Sequence, residues 1–287
     1  MKITVAIDSL KGSLASMEAG NAAKGGILRV YPEAEVFVRP LADGGEGTVE
    51  ALVAGMGGRL RTVTVTGPLG KRVECTYGIC TENDRKLAVI EMSGAAGITL
   101  VSTEMRNPLY TTTYGVGEVI KDAIFQGCRY FIVGIGGSAT NDGGIGMLQA
   151  LGFDLLDCAG EPVSFGARGL LGLCSISDAN VLPGLAECEF HIACDVSNPL
   201  CGDNGCSVVY GPQKGAGPEL IPQMDRWLAD YARLAGELGY GAQPDYPGAG
   251  AAGGLGFAFM TFTNAVLEPG IDMILRETNL ESNIRES

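Results

Sequence analysis

A strongly apolar run, Tyr130-Phe131-Ile132-Val133-Gly134-Ile135, leads directly into Gly136-Gly137-Ser138-Ala139-Thr140-Asn141-Asp142-Gly143-Gly144. The helical pattern of Ile145–Leu151 follows. A strand that passes through glycines into a helix is the building step of an α/β fold. The amino terminus repeats the step twice. A strand at Ile3–Ile7 leads through Asp8-Ser9-Leu10-Lys11-Gly12-Ser13 into a helix near Leu14–Val30, with Ser13 as its predicted N-cap. A second strand at Glu35–Arg39 leads through Pro40-Leu41-Ala42-Asp43-Gly44-Gly45-Glu46-Gly47-Thr48 into a helix ending at Met56. Strand-helix-strand-helix order implies a parallel sheet.

The pattern then changes. Three β-rich runs at Leu60–Thr66, Arg72–Cys80 and Lys86–Met92 are split by Gly-Pro and Glu-Asn-Asp-Arg turns, which predicts an antiparallel meander. Helices are expected near Gly115–Gln126, Pro218–Leu238 and Leu255–Leu267, and a strand at Glu189–Asp195. The 44 glycines among 287 residues are about twice the usual ~7% share, with no three-residue period. In a folded chain, that much glycine points to tight turns and backbone-lined ligand loops.

Charge narrows the function classes. Twenty Lys and Arg against 33 Asp and Glu leave a net charge of −13, with no basic cluster to release counterions from a nucleic acid. No apolar stretch reaches the ~18 residues of a membrane span, and Met1–Asp8 lacks the pattern of a signal peptide, so a cytoplasmic protein is expected. Nine cysteines without a C-x-x-C pair read as reduced, small buried hydrophobes. His191, the single histidine, sits in a buried-strand pattern and reads as a core or hydrogen-bonded residue.

Three loops could carry chemistry. In the Gly136–Gly144 loop, backbone N–H groups and the helix dipole can face an anion, Ser138 and Thr140 add hydroxyls, and Asn141 and Asp142 suit magnesium or a hydroxyl. The competing view is a tight turn capped by Asp142. Asp43 and Glu46 flank Gly44 and Gly45 where open α/β sheets place their ligands, although helix capping explains them nearly as well. Lys11, with Ser9 and Ser13 around it, is a point charge suited to phosphate; no Walker A pattern occurs. Lys214 lies in the rigid turn Gly211-Pro212-Gln213-Lys214-Gly215. Gly248-Ala249-Gly250-Ala251-Ala252-Gly253 satisfies G-x-G-x-x-G without a preceding strand, which speaks against a dinucleotide oxidoreductase and for a close helix N-terminus.

Taken in order, Asp-Ser-x-Lys-Gly-Ser, Leu-Ala-Asp-Gly-Gly-Glu-Gly-Thr, Val-Thr-Gly-Pro-Leu-Gly, Thr-Thr-Tyr-Gly-Val-Gly-Glu, Gly-Ile-Gly-Gly-Ser-Ala-Thr-Asn-Asp-Gly-Gly, Ala-Cys-Asp-Val-x-Asn-Pro-Leu, Gly-Pro-Gln-Lys-Gly-Ala and Pro-Gly-Ala-Gly-Ala-Ala-Gly-Gly-Leu-Gly make a specific set. The chain resembles the bacterial glycerate kinases of glycerate and glyoxylate utilisation from residue 1 to about Leu280. The resemblance implies ATP- and magnesium-dependent phosphorylation of D-glycerate, typically to 2-phosphoglycerate. It also implies two α/β domains with the site in the cleft between them. One would be flavodoxin-like (residues 1–65, with 268–287 as a remnant), the other a mixed-sheet domain resembling restriction-enzyme folds (66–267). Family members continue with a Gly-Glu-Gly-Arg-x-Asp-x-Gln stretch and further strands, so a C-terminally truncated member is expected here, and a non-catalytic anion- or metabolite-binding remnant is the alternative.

On this assignment Lys11 and Lys214 face phosphate, and the loop of Gly136, Gly137, Ser138, Thr140 and Asn141 forms an amide cradle. Asp43, Glu46, Asp142 and Asp195 are the pool for a magnesium ligand and a hydroxyl-activating base. Arg106 is the candidate partner for the substrate carboxylate. Ser9, Ser13, Gly44 and Gly45 complete the expected substrate contacts.

Overall fold

A computed structural model describes residues 1–8, 10, 13–41, 47–82, 85–277 and 280–285. The element order is β1 (Lys2–Ile7), α1 (Ser16–Val30), β2 (Glu35–Pro40), α2 (Thr48–Met56), β3 (Arg59–Thr66), β4 (Arg72–Glu82), β5 (Arg85–Glu91), α3 (Ser93–Ala96), α4 (Tyr114–Phe125), β6 (Tyr130–Gly134) and α5 (Ile145–Ala150). There follow β7 (Asp154–Leu156), α6 (Arg168–Leu171), β8 (Ser175–Ser177), β9 (Glu189–Ala193), α7 (Cys206–Tyr210), α8 (Ile221–Glu237), α9 (Ala251–Phe262), β10 (Ala265–Glu268), α10 (Gly270–Glu277) and α11 (Leu280–Arg285).

β1 and β2 pair in parallel from Lys2↔Glu35 to Ile7↔Pro40, joined through α1. The N-cap of α1 is Ala15 rather than Ser13, because the Glu18 carboxylate accepts the Ala15 N–H at 3.0 Å and so sets the first turn two residues later. Ser13 is an exposed turn residue whose N–H donates to the Leu10 carbonyl.

The main sheet has six strands in the order β10-β9-β6-β5-β4-β3. β3, β4 and β5 form the antiparallel meander that the turn residues require, while β5, β6, β9 and β10 run parallel. The α/β class and its mixed sheet thus follow the strand order written in the sequence. β3 pairs with β4 along all eight residues, so a boundary at 65/66 falls at the end of a strand of this sheet.

Period-two alternation divides the apolar residues between two layers. Phe131, Val133, Phe190 and Ile192 join the larger core with α4, α5 and α9. Leu87, Val89, Ile132 and Ala193 face α2 and Met273 of α10. Phe131 and Phe190 stack across neighbouring strands with centroids 4.7 Å apart. His191, on the second face, donates from Nδ1 to Glu268 Oε1 at 2.5 Å, and Arg276 grips the same carboxylate, fixing α10 against the sheet. The hydrogen-bonded reading of this histidine holds.

Two expectations are corrected, and one hairpin is added. The helix read as Leu255–Leu267 ends at Phe262, and residues 265–268 form β10, because parallel pairing with β9 outweighs local helical preference over four residues. The β7–β8 hairpin carried no sequence signal strong enough to be read. Finally, not every thiol is free: Cys158 and Cys174 form a disulfide across this hairpin, with Cα atoms 5.2 Å apart. The other seven cysteines are unbridged. Thiol titration of the unreduced, denatured protein should therefore return seven equivalents; nine would mean the bridge does not form in solution.

Among the described residues no helix is long and apolar enough to cross a membrane.

Candidate active site at the carboxyl ends of the parallel strands

Parallel strands deliver their carboxyl ends to one edge, where open α/β sheets bind ligands. β6 and β9 end there at Gly134 and Ala193, paired in register. The loops beyond them border a cavity of about 390 Å³. Its walls come from Ile135–Ser138 after β6, Ala193–Val196 after β9, Tyr210, Gln213 and Lys214 around the end of α7, Ala251 and Ala252 opening α9, and Ile98.

The loop after β6 is held by backbone. Ile98 donates to the Gly137 carbonyl and Ala139 to the Ala96 carbonyl. Gly137 has φ +72°, a left-handed backbone that disfavours any side chain, while its missing Cβ would meet only ordinary contacts. Gly144 is needed for space as well, since a Cβ there would lie 2.4 Å from that of Ala258. The opposing loop locks into it: Gly143 N–H donates to the Gly253 carbonyl, and a Cβ on Gly253 would sit 2.1 Å from the Thr140 carbonyl oxygen. Ala252, Gly253 and Gly254 are all left-handed, and Ala252 is the one non-glycine residue with positive φ among those described. Such strain persists only where the surrounding packing over-determines the backbone.

Lys214 supplies the charge. It is 2% exposed, and its Nζ donates to the Thr140 carbonyl at 2.6 Å. Burial pulls its pKa down to about 8, against the pull of Cys206 and Asp142. An ammonium has three donors, so the cavity wall offers positive charge beside the glycine loop.

The sequence-derived set divides here. Gly136, Gly137, Ser138, Asp195 and Lys214 come together around the cavity. Thr140, Asn141 and Asp142 are fully buried and absent from the lining. Asn141 Nδ2 donates to Ser207 Oγ at 2.9 Å. Asp142 accepts the Thr113 N–H and hydroxyl at 2.9 Å each and the Gly144 N–H at 3.2 Å. Burial raises its carboxyl pKa while these donors oppose the rise. Its geometry is that of a loop cap, the competing view of this residue.

Asp195 lines the cavity, and its Oδ1 also accepts the Gly270 N–H at the start of α10. Arg106 is absent from the lining, although its Nη1 lies 3.4 Å from the carbonyl of the lining residue Gln213, and its buried Nε lacks a protein partner. Ser9, Lys11, Asp43, Gly44, Gly45 and Glu46 lie outside the described residues. Glu91 carried no motif. From the end of β5 it accepts the Val49 N–H at 2.9 Å and so caps α2, whose own N-cap Gly47 has no side chain to do so. Burial lifts its pKa to about 7. Tyr210 was equally unmarked, and Gln213 stood in a quoted turn without a role, since only the folded chain brings α7 over the β6 loop.

Among the described residues, no group of three His, Cys, Asp or Glu side chains is placed to hold a metal ion. Magnesium in nucleotide sites takes one or two carboxylates together with phosphate oxygens and water, and Asp195 fits that limited role.

Fold and cavity define an α/β protein with a glycine-lined, cation-bearing pocket over the ends of parallel strands. Residues 3–287 match the profile of the Glycerate kinase family. Glycerate 2-kinase of Escherichia coli K12 is 46% identical over 286 residues, covering 100% of this chain and 74% of that protein. Glycerate kinase of Bacillus subtilis 168 is 44% identical, with coverage of 100% and 75%. A crystal structure described as glycerate kinase 2 of Salmonella typhimurium LT2 superposes with a TM-score of 0.96 at 45% identity, covering 100% of this chain and 76% of that one. The chain belongs to the glycerate kinase family, and it is a kinase.

Proposed function

We propose that this chain transfers the γ-phosphoryl group of ATP to D-glycerate, forming 2-phosphoglycerate and ADP, with the cavity over β6 and β9 as the place of transfer. The observation that carries this reading is the buried Lys214 ammonium set against the Gly136–Ser138 backbone. Phosphoryl transfer needs positioning and charge neutralisation more than covalent chemistry, and these groups supply both. The bond from the γ-phosphorus to the bridging oxygen breaks, leaving ADP, and a bond to the glycerate hydroxyl oxygen forms. The hydroxyl proton passes to a carboxylate, for which Asp195 is placed in the wall.

Arg106, beside the lining residue Gln213, is suited to the glycerate carboxylate, its Nε still needing an acceptor. Magnesium would lower the charge on the phosphates and, in the assignment from sequence, would be held by Glu46, which leaves Asp195 as the base. Lys11, Asp43 and Glu46 complete the assignment from sequence. Dependence on ATP suits a cytoplasmic setting. The remnant reading has no observation in its favour, since charge and glycine loop are both retained.

A coupled assay of ADP release with and without D-glycerate, followed by phosphorus NMR of the product, tests the proposal. Glycerate-dependent ADP and a 2-phosphate signal are expected. Absence of glycerate-dependent release would reject the kinase activity for this chain, and a 3-phosphate signal would correct the regiochemistry alone.

A further inference from the structure

The cavity lining mixes two kinds of residue. Lys214 and the Gly136–Ser138 loop offer charge and N–H donors. Val196, Tyr210, Ala251 and Ala252 add apolar surface, and the segments that carry Tyr210 and Ala251 are tied together through Asn198. The Gly250 N–H donates to the Asn198 carbonyl, and the Tyr210 hydroxyl donates to Asn198 Oδ1 at 2.6 Å. Asn198 Nδ2 in turn donates to the Asn204 carbonyl at 2.9 Å. The hydroxyl is therefore engaged away from any ligand, and the contribution of Tyr210 to the wall is its ring. The ring cannot swing freely, because Asn198 is itself anchored.

An aromatic ring held by its hydroxyl, in the same cavity as apolar side chains, a cation and an amide loop, matches the two chemistries of a nucleotide. Phosphates need the charged groups, and a base needs a flat apolar surface. The cavity's 390 Å³ lies within the usual ~300–1,000 Å³ range of ligand pockets. We infer that Tyr210 is the platform against which the base of the phosphoryl donor packs, with Asn198 as the positioning residue that holds the ring. This rests on the kinase reading and assigns the donor's base to one named wall of the same site. Packing on a ring is tolerant of base identity, because every base has a π face.

Calorimetric titration of the full chain with two probes, ATP and inorganic triphosphate, tests the assignment by binding alone. In Tyr210→Ala, ATP affinity is expected to fall roughly 5- to 100-fold, the span for losing one base–aromatic contact, with triphosphate affinity unchanged. Tyr210→Phe keeps the ring and should lose only a few-fold through the missing bond to Asn198. Asn198→Ala should weaken ATP and spare triphosphate in the same way, to a smaller degree. The half-buried position of Tyr210 makes both of its variants compatible with folding.

Equal losses for ATP and triphosphate in Tyr210→Ala would overturn the inference, as would no loss for either. So would Tyr210→Phe behaving like Tyr210→Ala, because the hydroxyl would then matter rather than the ring. The kinase reading fails separately. If Lys214→Met left both probes binding normally, the charged groups would not form a phosphate site, whatever Tyr210 does. Wild-type protein that bound neither probe would overturn both.

Discussion

Replacing Lys214 with methionine is expected to cut glycerate-dependent ADP release by about a hundred- to a thousandfold while the fold keeps or gains stability. The two effects part company for a physical reason. Lys214 is fully buried with one protein acceptor, the Thr140 carbonyl, so its charge costs folding free energy and is useful only when an anion is present. Methionine fills nearly the same volume without a charge.

The pH dependence carries a definite sign. Burial lowers the folded-state pKa of Lys214 from 10.5 to about 8, so between those values the unfolded chain binds more protons. Stability from this group is lowest below pH 8 and rises as pH increases through that window. The stability advantage of Lys214→Met should therefore be greatest below pH 8 and shrink above it. Ligand binding runs the other way, and ATP affinity of the wild type should decline as pH passes about 8. Urea melts at several pH values check the first trend, and titrations with ATP check the second. A variant that is less stable and fully active would remove Lys214 from the site.

Replacing Asp142 with alanine should cost about 3–5 kcal/mol of stability, the usual penalty for stranding buried donors around a deleted carboxylate. Three donors depend on it: the Thr113 N–H, the Thr113 hydroxyl and the Gly144 N–H. The Thr113 hydroxyl also accepts the Met147 N–H at 3.0 Å, so Asp142 joins the starts of α4 and α5 in one buried network. Asp142→Asn, which keeps the volume and one acceptor but turns an amide toward donors, should lose less. Both are measured by denaturant unfolding. Wild-type stability with abolished turnover in Asp142→Asn would return this residue to the chemistry that its sequence setting proposed.

The fate of Asp142 shows how much of the site was legible. A strand, five glycines and four polar side chains mark a loop that binds something, and Gly136, Gly137 and Ser138 do border the cavity. Nothing in the string separates them from Thr140, Asn141 and Asp142, which turn inward to secure the loop. The direction of each side chain depends on left-handed glycines at 137, 143 and 144 and on the backbone of residues 253 and 254 pressed against them. Lys214 is the opposite case. It stood in a turn of little local meaning, and the fold placed it in the cavity.

Local pattern was sufficient where the physics is local. Alternation and turn residues determined the β3–β4–β5 meander, apolar continuity determined β6 and β9, and the loops ending in helices determined an α/β class. Long-range pairing decided the rest. Residues 265–268 are a strand only because β9 offers an open edge, and Cys158 meets Cys174 only because β7 and β8 pair. The sequence by itself thus determined the locally patterned elements, the family and the loops that could face an anion. The tertiary structure alone decided which side chains share the cavity, because α7, α9 and the β6 loop are far apart in sequence. Their meeting is governed by burial and backbone contact, which no local pattern encodes.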